Sequence, residues 1–185
     1  EGVDIAPTNI KAGMDIIVSG TLGDHAATVM AARHNLTLPQ GIMSDSAPLC
    51  HLTAAMLAAA PSIAVLRDPT RGGVAASLNE LAEAAGVGIL LDEAAIPVHP
   101  AVQGVCDILG FDPLTLANEG KLLAFVPPED TERVLAVMHA DPHGCAACII
   151  GHTTAEAPGS VGLRTSLGGI RVVDLPLGEL VPRIC

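Results

Sequence analysis

The chain has 185 residues, half of them apolar, and its 20 acidic residues against 9 Lys and Arg give a formal net charge of −11. That acidity argues against sequence-independent nucleic-acid binding, which needs a basic surface to release counterions; with no Trp or Tyr and 2 Phe there is no platform for stacking single strands either. No apolar run reaches the roughly 20 residues of a membrane-spanning helix, because Pro61 breaks the Ala-rich stretch from Ala54 to Ala60. A soluble chain built on one aliphatic core is therefore expected.

The cysteines, Cys50, Cys106, Cys145, Cys148 and Cys185, are odd in number and scattered. That is unlike a secreted disulfide framework, and it points to a reducing cytoplasm. Glu1 opens the chain with neither an initiator Met nor a signal-like segment, so the sequence reads as a fragment.

In chain order, Asp15-Ile-Ile-Val-Ser-Gly20 predicts a strand, Gly23-Asp24-His25 a turn, and the Ala-rich run to His34 a helix. Leu49 to Ala60 predicts a second helix stopped by Pro61, followed by a buried strand at Ile63 to Leu66. Val74, Leu78, Leu81, Ala82 and Ala85 recur at helical spacing opposite Asn79, Glu80 and Glu83, with Gly86 as the stop. Gly88 to Asp92 is the next strand. A loop through Pro97 and Pro100 leads to a helix ending near Gly110, then strand Leu122 to Val126 and helix Glu129 to Met138. The last third changes to short runs at Ile149 to Gly151, Val161 to Arg164 and Ile170 to Asp174, which predict an antiparallel meander. The expected class is α/β to α+β, a mixed sheet packed by helices.

Several constellations could carry chemistry. Asp68-Pro-Thr-Arg-Gly-Gly73 lies between a predicted strand and a helix N-terminus, where free amides and the helix dipole attract phosphate and Asp68 could hold a bridging Mg²⁺. The same letters also fit a capped turn whose glycines permit tight packing. Asn118-Glu119-Gly120-Lys121 precedes a strand and could house a general base, or be a solvated turn. His143, Cys145, Cys148 and His152 supply ligand types for Zn²⁺ or a redox pair, but Cys148 leads straight into Ile149-Ile150, where cysteine behaves as a small hydrophobe. For the lone His25 and His99 a structural role is expected. Cys185, the last residue, follows Pro182 in a segment without helix or strand pattern. Extended, the ten residues from Pro176 span at most about 33–36 Å.

Pro182-Arg-Ile-Cys185, together with Arg67-Asp-Pro-Thr-Arg-Gly-Gly-Val-Ala75, Ala117-Asn-Glu-Gly-Lys121 and Ser19-Gly20 followed by Gly23-Asp24-His25, closely resembles the HypE family. These are the carbamoyl dehydratases of [NiFe]-hydrogenase maturation, within the aminoimidazole-ribonucleotide synthetase superfamily. The resemblance implies that residues 1–175 form the superfamily's C-terminal α/β domain, that residues 176–185 form a mobile catalytic tail, and that the ATP-binding N-terminal domain is absent from this sequence. It implies that Cys185 accepts a carbamoyl group from a HypF-like carbamoyltransferase. ATP with Mg²⁺ would then drive dehydration to a thiocyanate, and the cyanide would pass to iron on a HypC–HypD complex.

By the same resemblance Asp68, Thr70, Gly72 and Gly73 face the nucleotide, Asp68 binds the Mg²⁺ and Glu119 is the base. The full-length protein would pair with its own N-terminal domain and form a homodimer, while this domain alone would be inactive. Two other readings stay open: another ATP-using enzyme of the superfamily, similar to selenophosphate synthetase or thiamin-phosphate kinase, and a Zn-stabilised interaction module built on His143 to His152.

Overall fold

The computed structural model describes residues 3–37 and 42–176. Seven strands form one mixed sheet in the order β2-β4-β1-β5-β3-β6-β7. They are β1 (Asp15–Val18), β2 (Val65–Arg67), β3 (Gly88–Asp92), β4 (Leu123–Val126), β5 (Cys148–Thr154), β6 (Val161–Arg164) and β7 (Ile170–Val172). Neighbours run antiparallel except β3 and β6, which are parallel. The helices are α1 (Asp24–Arg33), α2 (Cys50–Ala59), α3 (Gly73–Ala85), α4 (Pro100–Leu109) and α5 (Pro128–His139).

Strand periodicity divides the core. In β1, Ile16 and Val18 enter the cluster covered by α3, while Ile17 enters the opposite cluster with Leu52 and Met56 of α2 and Val134 and Met138 of α5. In β4, Leu123 and Phe125 face the first cluster and Ala124 and Val126 the second. Ile16 to Val18 of β1 and all of β4 are buried on both faces, so these residues read as unbroken apolar runs. A third cluster joins Ala26 and Ala27 of α1 to Val102, Val105 and Cys106 of α4. α3 buries Val74, Leu78, Leu81 and Ala82 and ends, as its spacing predicts, on Gly86 in the left-handed conformation.

Two expectations are corrected. The predicted meander is broken, because β5 pairs with β1 and β3 rather than with β6, and of the three predicted runs only β6 and β7 are antiparallel neighbours. The cause lies in the turn after β5. It crosses the start of β3, with Gly159 N–H donating to Val87 O and Ile89 N–H to Ser160 O, and delivers β6 to the far side of β3. A side chain at Gly88 would put its Cβ 1.9 Å from Glu156 O, so the crossing requires that glycine.

The ladder of β2 also starts two residues later than expected, at the sheet edge. Ile63 and Ala64 are buried ahead of it, and Ala64 is held by its N–H to Phe125 O and by Ala6 N–H to its own carbonyl. No helix among the described residues is long and apolar enough to cross a membrane.

Candidate functional site

The three segments Ser19–His25, Asp68–Gly73 and Asn118–Lys121 meet at one end of the sheet, joined by a single side chain. Asn118 is fully buried. Its Oδ1 accepts from Gly23 N–H at 2.8 Å, where a left-handed glycine opens α1. Its Nδ2 donates to Pro69 O at 3.1 Å and Leu116 O at 2.9 Å, and its own N–H also donates to Pro69 O. The sequence suggests a loop residue displayed beside Glu119; in the structure Asn118 is the bracket that sets the spacing of the loops. Asn118→Ala is expected to lower the unfolding free energy by about 2–4 kcal/mol, since buried partners on three segments lose their bonds together. Urea denaturation measures this, and a loss below about 1 kcal/mol would mean that the loops hold their arrangement without it.

Within the same motif only Glu119 is exposed. Gly120 lies against segment 45–47 so closely that an added Cβ would be 1.7 Å from Asp45 O. Glu119 N–H donates to Asp45 Oδ1 at 3.1 Å. Lys121 turns inward, with Nζ 3.4 Å from Asp45 Oδ2 and 4.0 Å from Asp24 Oδ2, and the Asp45 side chain is 2% exposed. Asp45 Oδ2 makes no hydrogen bond. Its compensation is the charge of the ammonium rather than an aligned donor, and at this burial such a contact is screened little by solvent. A cleft of about 350 Å³ opens beside this group, its lining including Ser19, Gly20, Asp45, Lys121, His143 and Cys145. Sequence patterning gives no signal for Asp45, which sits in a segment without periodicity.

At the Asp68–Gly73 turn, Asp68 is exposed and Thr70 half-buried. Gly72 and Gly73 both adopt positive φ, +71° and +62°. Gly73 N–H donates to Thr70 O at 3.0 Å, and a Cβ there would lie 2.5 Å from both Leu114 O and Leu116 O. Gly73 is thus explained by close packing against the 3-10 turn Pro113–Thr115, and its amide is already committed. A Cβ on Gly72 would lie 3.7 Å from Pro176 Cγ, so the end of the described chain passes over this turn. The Asp68 carboxylate is the one acidic side chain of the turn and is exposed, so a cation held there with substrate phosphates and water would have one protein carboxylate as ligand.

The His143–His152 constellation does not assemble. Among the described residues no group of three His, Cys, Asp or Glu could hold a metal ion. Cys145 Sγ donates to Pro142 O and Cys148 Sγ to Ala95 O. Burial pushes the Cys148 thiol up and the Cys106 thiol up to about 11, the latter with help from Asp107 and Asp112, so both stay protonated. His99 caps α4, its Nδ1 accepting from Ala101 N–H, and His25 Nδ1 pairs with Ser44 Oγ. Cys185 lies outside the described residues.

A family model described as "AIR synthase related protein, C-terminal domain" matches residues 11–164. The chain belongs to this family. Within it, the AIR synthase-related domain is 50% identical over 184 residues to the carbamoyl dehydratase HypE of Rhodobacter capsulatus, covering all of this chain and 54% of that protein. It is similar to a solved structure of the hydrogenase maturation protein HypE in complex with ATP, at TM-score 0.92 and 38% identity over 98% of this chain and 55% of that one. It is also similar to a solved HypE–HypF complex, at TM-score 0.89 and 40% identity over 95% of this chain and 57% of that one. The chain spans about half the length of the curated relatives it matches.

Proposed function

We propose that residues 1–175 are the C-terminal domain of an ATP-dependent carbamoyl dehydratase and residues 176–185 its substrate-bearing tail, acting in hydrogenase maturation. The observation that carries this reading is the convergence on Asn118 of the three loops, with the root of the tail passing Gly72. The likeness to HypE over the whole chain supports it.

The chemistry asks for such a gathering. A carbamoyl group on Cys185 sulfur carries a poor oxygen leaving group and two N–H protons. Attack of its carbonyl oxygen on the γ-phosphorus of ATP forms a C–O–P link and releases ADP. Loss of both protons from nitrogen and cleavage of the C–O bond then expel phosphate and leave S–C≡N, with the S–C bond intact throughout. Asp68 would hold Mg²⁺, which would supply charge to neutralise the phosphates, Thr70, Gly72 and Gly73 shape the turn, and the exposed Glu119 carboxylate accepts a proton from nitrogen. Gly73 contributes by letting the turn lie close to Pro113–Thr115, since its amide is engaged.

The donor of the carbamoyl group is a HypF-like carbamoyltransferase, in keeping with the solved HypE–HypF complex. The acceptor of the cyanide is iron on a HypC–HypD complex. The whole protein supplies the companion ATP-binding domain, works as a homodimer and resides in the cytoplasm.

In the whole protein, Asp68→Asn should weaken Mg²⁺-dependent dehydration while carbamoyl loading proceeds normally. A Mg²⁺ titration of thiocyanate formation reads this, and a curve superimposable on the parent's would remove Asp68 from the cation site.

A further inference from the structure

The chain after β7 does not simply run off the sheet. Val173 N–H donates to Val161 O at 2.8 Å, and Val173 is 3% exposed within the core cluster under α3. Its carbonyl is taken by Asn79 of α3, whose Nδ2 donates to Val173 O at 2.8 Å and to Ala75 O at 2.8 Å. Both amide hydrogens are used, and the second bond fixes the side chain against its own helix. Asp174 and Leu175 are exposed, and Pro176 then lies beside Gly72. Seven residues of helix separate Asn79 from Gly72, about 10 Å. Residues 174–176, extended, cover about the same distance. The segment therefore runs back along α3 toward its N-terminus and reaches the Asp68–Gly73 turn at Pro176.

We propose that Asn79 is a positioning residue that clamps the root of the tail to α3 and so aims residues 177–185 at the phosphate-facing turn. This rests on the dehydratase reading and adds to it the device that makes the tail's reaction intramolecular in a chosen direction. Without the Asn79 bond, Val173 would keep its N–H bond to Val161 O and its place in the core, but its carbonyl would be released and the twelve residues after it would leave the sheet with no tie to α3. Clamping Val173 and laying residues 174–176 along α3 raises the effective concentration of Cys185 at the turn. Asn79 touches neither nucleotide nor reacting atoms, so its effect should be confined to delivery.

The test uses the whole protein with Asn79→Leu, which removes the donor, and Asn79→Gln, which keeps it on a longer arm. Amide hydrogen exchange of the 170–176 peptide reads the clamp without any chemistry. In Asn79→Leu the Val173 amide should exchange roughly tenfold faster or more, while the β1 and β4 amides keep their protection. Unchanged exchange at Val173 overturns the proposal whatever the enzyme does.

Single-turnover conversion of the carbamoylated tail to thiocyanate should fall roughly tenfold in Asn79→Leu and recover in part in Asn79→Gln. In protein truncated after Pro176 and supplied with a carbamoylated peptide of residues 177–185, Asn79→Leu and the parent should react equally. Equal loss in this separate-peptide format overturns the positioning role, since Asn79 would then shape the site itself, and so does an unchanged rate with the tail attached. A parent protein that exchanges as described but never forms thiocyanate sinks the dehydratase reading and, with it, the aim of the tail, leaving the exchange result as evidence for an anchor alone.

Discussion

Cys185→Ala in the whole protein is expected to abolish acceptance of the carbamoyl group, with nothing transferred to another thiol. The other cysteines are poor substitutes. Cys106 and Cys148 are held as thiols by burial, and a thiol rather than a thiolate is a weak nucleophile. Cys50 and Cys145 are exposed. Cys50 lies in the first turn of α2 and Cys145 donates its S–H to Pro142 O, so both are fixed to the domain. The substitution is expected to leave the unfolding free energy within about 0.5 kcal/mol of the parent's. Incubation with HypF, carbamoyl phosphate and ATP, followed by peptide mass analysis, reads the outcome. Carbamoyl mass on the Cys145 or Cys148 peptide of the variant would move the acceptor to the domain.

Glu119→Gln should load the carbamoyl group normally and then stall. Glu119 is the exposed member of its motif, its backbone pinned by Asp45 and its neighbours Asn118 and Lys121 both turned inward. The carboxylate is therefore presented from a rigid support, which suits a group that must take a proton at a fixed place. Glutamine keeps shape and polarity but accepts no proton, so the rate of thiocyanate formation should drop by about 10²-fold or more and carbamoylated enzyme should accumulate. The variant and the parent should unfold alike, because the side chain is solvated. Thiocyanate appearing at the parent rate would make Glu119 a surface residue of the loop and leave the base to be sought elsewhere.

What the sequence made legible follows from the physics of each element. β1 and β4 are read because strands buried on both faces must be apolar throughout, and α3 because its apolar residues repeat at 3.6 and a left-handed glycine closes it. Strand order was less accessible. The passage of β6 around β3 depends on a turn crossing Gly88, a contact between residues about seventy positions apart.

The loops were recognisable as motifs, but not the division of labour inside them. Asn118 and Lys121 carry letters suited to chemistry, yet one brackets three segments and the other neutralises Asp45, whose burial is imposed by Gly120 from far along the chain. Gly73 illustrates a real degeneracy: glycine for a phosphate-binding amide and glycine for backbone packing are the same letter, and only the 2.5 Å approach to Leu114 O separates them. The cysteines and histidines of 143–152 offered the residue types of a zinc site, and spacing cannot tell whether such side chains turn toward a common point.

Everything proposed for catalysis depends on the carbamoyl group residing on the last residue and losing its oxygen there. The direct measurement is mass analysis of the C-terminal peptide from the whole protein after incubation with HypF, carbamoyl phosphate and ATP, with a parallel sample lacking the ATP of the second step. Gain of one carbamoyl group on Cys185, followed only when ATP is present by loss of one water from the same peptide, is the predicted result. A peptide that stays unmodified, or a carbamoylated Cys185 that retains its oxygen in the presence of ATP and Mg²⁺, would contradict it.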